Sequence, residues 1–344
     1  MKKRVTIYEI AEKLGISTAT VYRALNDKPK VSASTREAVL KTAQELGFKA
    51  NTLARSLARK PIKLAVVAFT SFPEFHNQFI AGAREAHEDL IDYNVQVEYF
   101  AYEGGDSYSS QGEEYLEARL EEIANGGFDG LLIAAKQAEG FKLLKEKKVC
   151  VATAINDIQP DMRRFCIQYN GRIAGRMAAE LLWWQTDHSK QVVVASGIKD
   201  VGIHAEMVSG FFEQLQYTPL SVACVYYNYD SEEIAYQETN RVLQEYPDIG
   251  GIYVNSFNSV SVIRSIKEHG LAGKIRVITS DIYEELRGHI RNGVVNASIF
   301  QDQFTQGRLG LRLLYQTVAE NLNADERTLI SPQIILRSNM ELFN

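Results

Sequence analysis

A chain of 344 residues, 45% hydrophobic and 24% charged, can bury two or three sizeable cores and has the composition of an ordinary soluble globular protein. Its longest apolar run, Leu64 to Phe69, is too short to cross a bilayer, and no apolar h-region follows the basic start MKKRVTIYEIAEK, so neither a membrane span nor a secretory leader is expected. The net charge of −5 is unevenly spread: residues 1–60 hold 13 lysines and arginines against 5 acids, or +8, which leaves −13 for the remainder. A small basic head on an acidic body is expected where only the head meets a polyanion. Cys150, Cys166 and Cys224 are odd in number and lack CxxC spacing, and read as reduced thiols of a cytoplasmic protein.

Thr6-Ile-Tyr-Glu9 is a capping box, and Ile7, Ile10, Ala11 and Leu14 follow at helical spacing before Gly15 ends the helix. Ser17 caps a second helix to about Leu25, whose stripe of Ile16, Val21, Ala24 and Leu25 is narrow. Ser32 caps a third, with Ala38, Val39, Ala43 and Leu46 inward and Gly47 as its stop. Two short helices about a glycine turn, braced by a third, make a helix-turn-helix unit. Its second helix would place N-terminal side chains on base edges in the major groove. There Thr18 and Thr20 can bond bases or phosphates, Ala19 can touch a thymine methyl, and Arg23 suits a guanine or a phosphate.

Between Asn51, a good N-cap, and the stop at Pro61 lie about two turns of potential helix, too few to stand alone in water. The segment is an exposed linker, or it folds on DNA with Leu57 as a minor-groove wedge between Arg55 and Arg59.

The stretch VTIYEIAEKLGISTATVYRALNDKPKVSASTREAVLKTAQELGFKANTLARSLARK resembles the DNA-binding head and hinge helix of the LacI/GalR family of bacterial transcription regulators. The resemblance implies base contacts from Thr18, Ala19 and Tyr22. It implies phosphate contacts from Thr6, Ser17, Thr20, Asn26, Ser32 and Thr35, with the N-x-x-A-x-x-L-A hinge bringing Leu57 and Ala58 to the minor groove. Tyr22 stands where the family usually has serine, so the operator sequence does not carry over.

From Ile62 on, buried-strand and amphipathic-helix patterns alternate. Strands are expected at 62–70, 95–102, 130–135, 149–155, 191–196, 221–227, 251–255 and 276–280. Helices are expected at 77–91, 113–124, 138–146, 173–184, 205–215, 232–245 and 260–268. The fold class is therefore α/β: two parallel sheets flanked by helices, with a cleft between two subdomains. The domains expected are 1–50 for the head, 51–61 for hinge and linker, and 62–344 for effector binding and dimerisation.

Ligands of such sheets sit beyond the carboxyl ends of the strands. Those ends carry the aromatic stretch 71–75, then Asn156-Asp157, Asn255-Ser256, Asp281 and Gln301. Amides and carboxylates beside rings suit a polyhydroxylated ligand. IQYNGRIAGRMAAELL, VSGFFEQL and NASIFQDQFTQGRLGLRLL resemble, in order, elements of the type I periplasmic-binding-protein fold. That resemblance implies Phe72 and Phe75 as a stacking platform and Asn156, Asp157, Asn255, Asp281 and Gln301 as polar contacts. Sugar-binding members usually carry an arginine three residues before the Gly-Phe pair, where this chain has Met207. Either His204 takes over the lost contact, or the ligand is not an ordinary sugar.

No HExxH, P-loop lysine or serine elbow is present, and neither an enzyme nor a cofactor or metal is expected. The rival class, an exported solute receptor or a carbohydrate enzyme, would need a leader or a catalytic constellation. The expectation is a cytoplasmic homodimer on double-stranded operator DNA, a repressor under a sugar-like or polyol effector; no coiled-coil tail argues for a tetramer.

Overall fold

A computed structural model describes residues 6–25, 28–46, 60–69, 73–102, 110–134, 137–199 and 201–343. The chain divides into two compact units, Met1–Pro61 with Asp92–Asn94, and Ile62–Ile91 with Val95–Asn344.

The first unit holds α1 (Ile7–Leu14), α2 (Thr18–Leu25) and α3 (Ala33–Glu45). Ile10, Ala11, Val21, Ala24, Val39 and Ala43 form its core, each no more than 7% exposed. Glu9 accepts from both the amide (2.6 Å) and the hydroxyl (3.3 Å) of Thr6, tying down the start of α1. Gly15 stands at φ 64°, a left-handed conformation that lets the Ile16 amide donate back to the Ala11 carbonyl at 3.1 Å and tightens the turn. Ser17 and Ser32 cap α2 and α3 by accepting from the amides of Thr20 and Thr35, both at 3.1 Å. Arg36 donates to the carbonyls of Lys28 (2.8 Å) and Ala24 (3.4 Å), holding the end of α2 against α3. Ala38, expected inward, faces solvent, and Thr42 is buried instead, because the packed stripe runs from Val39 through Thr42 and Ala43. The expected stop at Gly47 lies outside the described residues.

The second unit contains two six-stranded sheets. The first is ordered β11-β5-β4-β3-β1-β2 and is wholly parallel; the second is β12-β10-β9-β8-β6-β7, parallel except for β12 against β10. The strands are β1 (Ile62–Phe69), β2 (Val95–Tyr102), β3 (Gly130–Ile133), β4 (Cys150–Ala154), β5 (Phe165–Tyr169), β6 (Gln191–Ser196), β7 (Ser221–Tyr227), β8 (Ile249–Val254), β9 (Arg276–Ser280), β10 (Ala297–Phe300), β11 (Arg327–Ile330) and β12 (Gln333–Ile335). Central strands are apolar on both faces, as helices on either side require. Four short strands, β5, β10, β11 and β12, lie beyond the expectations above. With three to five residues each, they carry too little periodicity to separate from loops.

These short strands decide the topology. After β5 the chain leaves the first sheet and forms the helix Gly171–Gln185, which packs in the second lobe. After β10 it returns through the helix Gln303–Glu320, then adds β11 to the first sheet and β12 to the second. Each lobe seats its crossover helix through a pair of glycines. A Cβ on Gly175 would fall 1.9 Å from the Met207 carbonyl oxygen, and one on Gly210 would fall 2.0 Å from that of Arg172. In the other lobe a Cβ on Gly82 would fall 1.9 Å from the Phe304 carbonyl oxygen, and one on Gly307 would fall 2.0 Å from that of Phe79. Backbone therefore meets backbone at both crossings, and only glycine fits.

Candidate functional site

On the first unit, α2 turns Val21 and Ala24 inward and leaves Ala19, Tyr22 and Arg23 exposed, with Thr18 and Thr20 partly so. Thr18, Ala19, Tyr22 and Arg23 line a shallow groove with Ile7, Lys28, Pro29 and Lys30. Tyr22 is 48% exposed. A small-residue helix face bordered by three cations can approach a polyanion closely. Ser17 and Thr20 share a hydroxyl hydrogen bond of 2.9 Å, and Ser32 and Thr35 one of 2.7 Å, so each hydroxyl pair stands beside the N-terminus of a helix. Thr6 sits at the start of α1. Asn26, Asn51, Arg55, Leu57 and Ala58 lie outside the described residues.

In the body, one cavity opens at the carboxyl ends of the strands, between the lobes. Phe75, Asn156, His204, Met207, Asn255, Asp281 and Gln301 all line it. Phe72 lies outside the described residues. Asp157 does not line the cavity, which corrects its expected role. Its carboxylate is gripped by Arg163 (Nε to Oδ1 2.6 Å, Nη2 to Oδ2 2.7 Å) and accepts from Thr153 Oγ1 at 3.1 Å and the Ile158 amide at 2.9 Å. Burial alone would raise this carboxyl, but the Arg163 guanidinium and these donors hold it below its ordinary value. The pair braces the turn after β4 instead of meeting a ligand.

Asp281, just beyond β9, is 6% exposed and sits at φ 62°. Its carboxylate accepts from the Gln301 amide (3.1 Å), Gln301 Nε2 (2.6 Å) and Gln303 Nε2 (2.8 Å). Desolvation outweighs these three bonds and pushes the acid up to about 7. Asn255, 1% exposed, accepts from the Gly197 amide at 3.2 Å through Oδ1. Its Nδ2 has no hydrogen-bond partner among the described residues, a donor available to a ligand. His204 Nδ1 accepts from the Ile198 amide at 2.9 Å, which leaves the proton on Nε2; burial lowers its pKa and favours this neutral form. Met207 is 1% exposed, and its Sδ accepts from the hydroxyls of Tyr169 (2.5 Å) and Tyr253 (3.4 Å). The thioether thus closes a buried corner where a charged group would need other partners.

Ser256, paired with Asn255 at its strand end, lines the cavity as well, but several lining residues escaped the sequence reading: His76, Ile155, Val201, Ile203, Asp230 and Phe257. Asp230 and Phe257 follow the ends of β7 and β8, so inspecting every strand end over a few more residues would have found them. Phe257 stacks on Tyr283 with centroids 4.5 Å apart, and Phe75 meets it edge-on at 6.5 Å. Ile155 carries no such signal. It stands at φ 66°, a costly conformation for a β-branched residue. Gln306 Oε1 accepts from its amide at 3.1 Å and Gln168 Nε2 donates to its carbonyl at 2.9 Å. Gln306 Nε2 also donates to the Gln301 carbonyl at 2.9 Å, so one buried glutamine on the crossover helix joins the cavity walls of both lobes.

The family model described as "Bacterial regulatory proteins, lacI family" matches residues 6–51, and "Periplasmic binding protein domain" matches residues 34–321. The chain belongs to the lacI family of bacterial regulatory proteins. Catabolite control protein A of Priestia megaterium is 26% identical over 323 residues, covering 90% of this chain and 91% of that protein. The ribose operon repressor of Halalkalibacterium halodurans is 25% identical over 252 residues, 73% of this chain and 71% of its own. Among solved structures, GanP, a glucose-galactose binding protein from Geobacillus stearothermophilus, superimposes with a TM-score of 0.72 over 82% of this chain and 99% of its own; at 17% identity this speaks for the fold alone. This lacI-family chain is accordingly a transcription regulator with a body like that of sugar-binding proteins, and not an enzyme.

Proposed function

We propose that the chain is a cytoplasmic, homodimeric repressor whose affinity for a near-palindromic operator is set by a carbohydrate or polyol in the interlobe cavity. The observation that carries the reading is the convergence of Asn255, Asp281, Gln301, His204 and two aromatic rings on one cavity at the strand ends. A polyhydroxylated ligand needs both donors and acceptors there, plus ring faces for its C–H groups. The names of the ribose operon repressor and of the glucose-galactose binding protein point to the same ligand class. In the head, Thr18, Ala19 and Tyr22 would read bases and Arg23 a guanine or phosphate. Thr6, Ser17, Thr20, Asn26, Ser32 and Thr35 would hold the backbone, while Asn51 starts a hinge carrying Arg55, Leu57 and Ala58 into the minor groove. Residues 1–50, 51–61 and 62–344 serve as reading head, hinge and effector domain in this scheme.

Twofold symmetry matches two heads to two half-sites. Ligand and operator then shift each other's affinity by the same factor, on the order of 5- to 150-fold for typical linkage. The test is operator selection from random duplexes, followed by anisotropy titrations across salt and with a panel of sugars and polyols. Specific binding whose log–log salt slope reaches about one per phosphate contact, and which a panel member alters, is the expected result. Absence of preference for any duplex would overturn the proposal.

A further inference from the structure

The charge of the cavity wall says more about the ligand than its shape does. We infer that the molecule bound in this cavity is a polyhydroxylated amine, of the amino-sugar class, whose positively charged nitrogen meets Asp281, and that phosphorylated and carboxylated sugars are refused. The inference rests on the cavity being the effector site proposed above.

Three groups bond the Asp281 carboxylate, the Gln301 amide, Gln301 Nε2 and Gln303 Nε2, and all are uncharged. A carboxylate offers roughly four lone-pair directions, so one remains for a further donor. No lysine or arginine is among the described residues lining the cavity. His204 supplies no charge either, because its Nδ1 is occupied as an acceptor by the Ile198 amide. The position on the helix Gly202–Gln214 that could have carried a guanidinium to this wall carries Met207, whose sulfur is engaged by two tyrosine hydroxyls. A buried carboxylate without a cation is costly, as the rise of Asp281 to about 7 reflects. A ligand ammonium removes that cost, whereas a phosphate or carboxylate would add a second charge of the same sign.

The remaining surfaces agree. Asp230 brings a second carboxylate to the lining. Phe257, stacked on Tyr283, and Phe75 present aromatic rings, which attract a cation and offer an anion nothing. Asn255 Nδ2 and the Nε2 proton of His204 are donors suited to hydroxyl oxygens on the same molecule.

The test uses the full-length chain and matched sets measured by calorimetry at pH 7.5: glucose, glucosamine, N-acetylglucosamine and glucose 6-phosphate, with the corresponding galactose and mannose sets. In at least one set the amine should bind tenfold or more tighter than the neutral sugar. The N-acetyl form, equal in position but uncharged, should show no such gain, and the phosphate should not bind. Asp281→Asn should erase the preference for the amine. Should that variant not fold, Asn255→Ser serves as a second probe, weakening amine and neutral sugar alike. A neutral or phosphorylated member binding as tightly as its amine overturns this inference and leaves the effector-site reading standing. If no member of any set binds a protein that still recognises its operator, both fall together.

Discussion

The two units of this molecule use polar residues in opposite ways. In the head a small core of Ile10, Val21, Val39 and their neighbours carries a helix whose polar side chains point outward, where a large charged partner can reach them. In the body the informative polar groups point inward: Asp281, Gln301, Gln303 and Gln306 are buried and bonded to one another or to backbone. The contrast teaches that an exposed site needs only a scaffold, whereas a buried one must satisfy its own hydrogen bonds before a ligand arrives. The first tolerates side-chain change, and the second couples every change to stability.

The largest way to break the contrast is at the glycine crossings. Gly210→Val would drive a side chain into the Arg172 carbonyl, and the body should lose on the order of 3 kcal/mol or more. Gly202→Ala, with nothing within 4 Å of its new carbon, should shift the same urea transition by less than about 0.5 kcal/mol. Equal effects would show that the crossing is not packed backbone to backbone.

The next effect is a pH dependence peculiar to the body. Asp281 titrates at about 7 in the fold, against roughly 3.9 in an unfolded chain. Between those values only the folded state holds the proton, so stability should fall as pH rises from about 4 to about 7 and then level off. Asp281→Asn should remove this slope, gaining on the order of 4 kcal/mol relative to the parent at pH 8 compared with pH 4. Parallel denaturation curves at the two pH values would refute the cost assigned to this carboxylate.

Smaller effects belong to the head. Tyr22→Ala should weaken a selected operator by about 1–3 kcal/mol and relax the preference at one base position, with the body's melting unchanged. Ser32→Ala should cost about 1 kcal/mol of head stability by freeing the Thr35 amide. Lys13→Ala, breaking a half-exposed pair with Glu45 at 3.1 Å, should shift it by no more than about 0.5 kcal/mol.

Residue patterns made much of this legible. Thr6, Gly15, Ser17 and Ser32 mark the ends of α1, α2 and α3 because caps and left-handed turns act within a few residues. In the body, the rule that ligands sit past strand ends led to Asn156, Asn255, Asp281 and Gln301, which share one cavity. The same rule misplaced Asp157, since nothing local announces that Arg163, six residues on, will claim its carboxylate. Ala38 was misplaced because either Ala38 or Thr42 completes a helical stripe with Val39, and only the packed partners choose.

What the chain determined by itself is therefore local: capping, periodicity, the basic head and the residue types at strand ends, all governed by interactions over a few residues. What tertiary structure alone decided is which of these meet. The three passages between sheets, the glycine crossings at Gly82/Gly307 and Gly175/Gly210, the left-handed Ile155 held by Gln306 and Gln168, and the uncharged shell around Asp281 all join residues far apart in sequence. Their energies come from close packing and desolvation, which depend on every neighbour at once and leave no periodic trace along the chain.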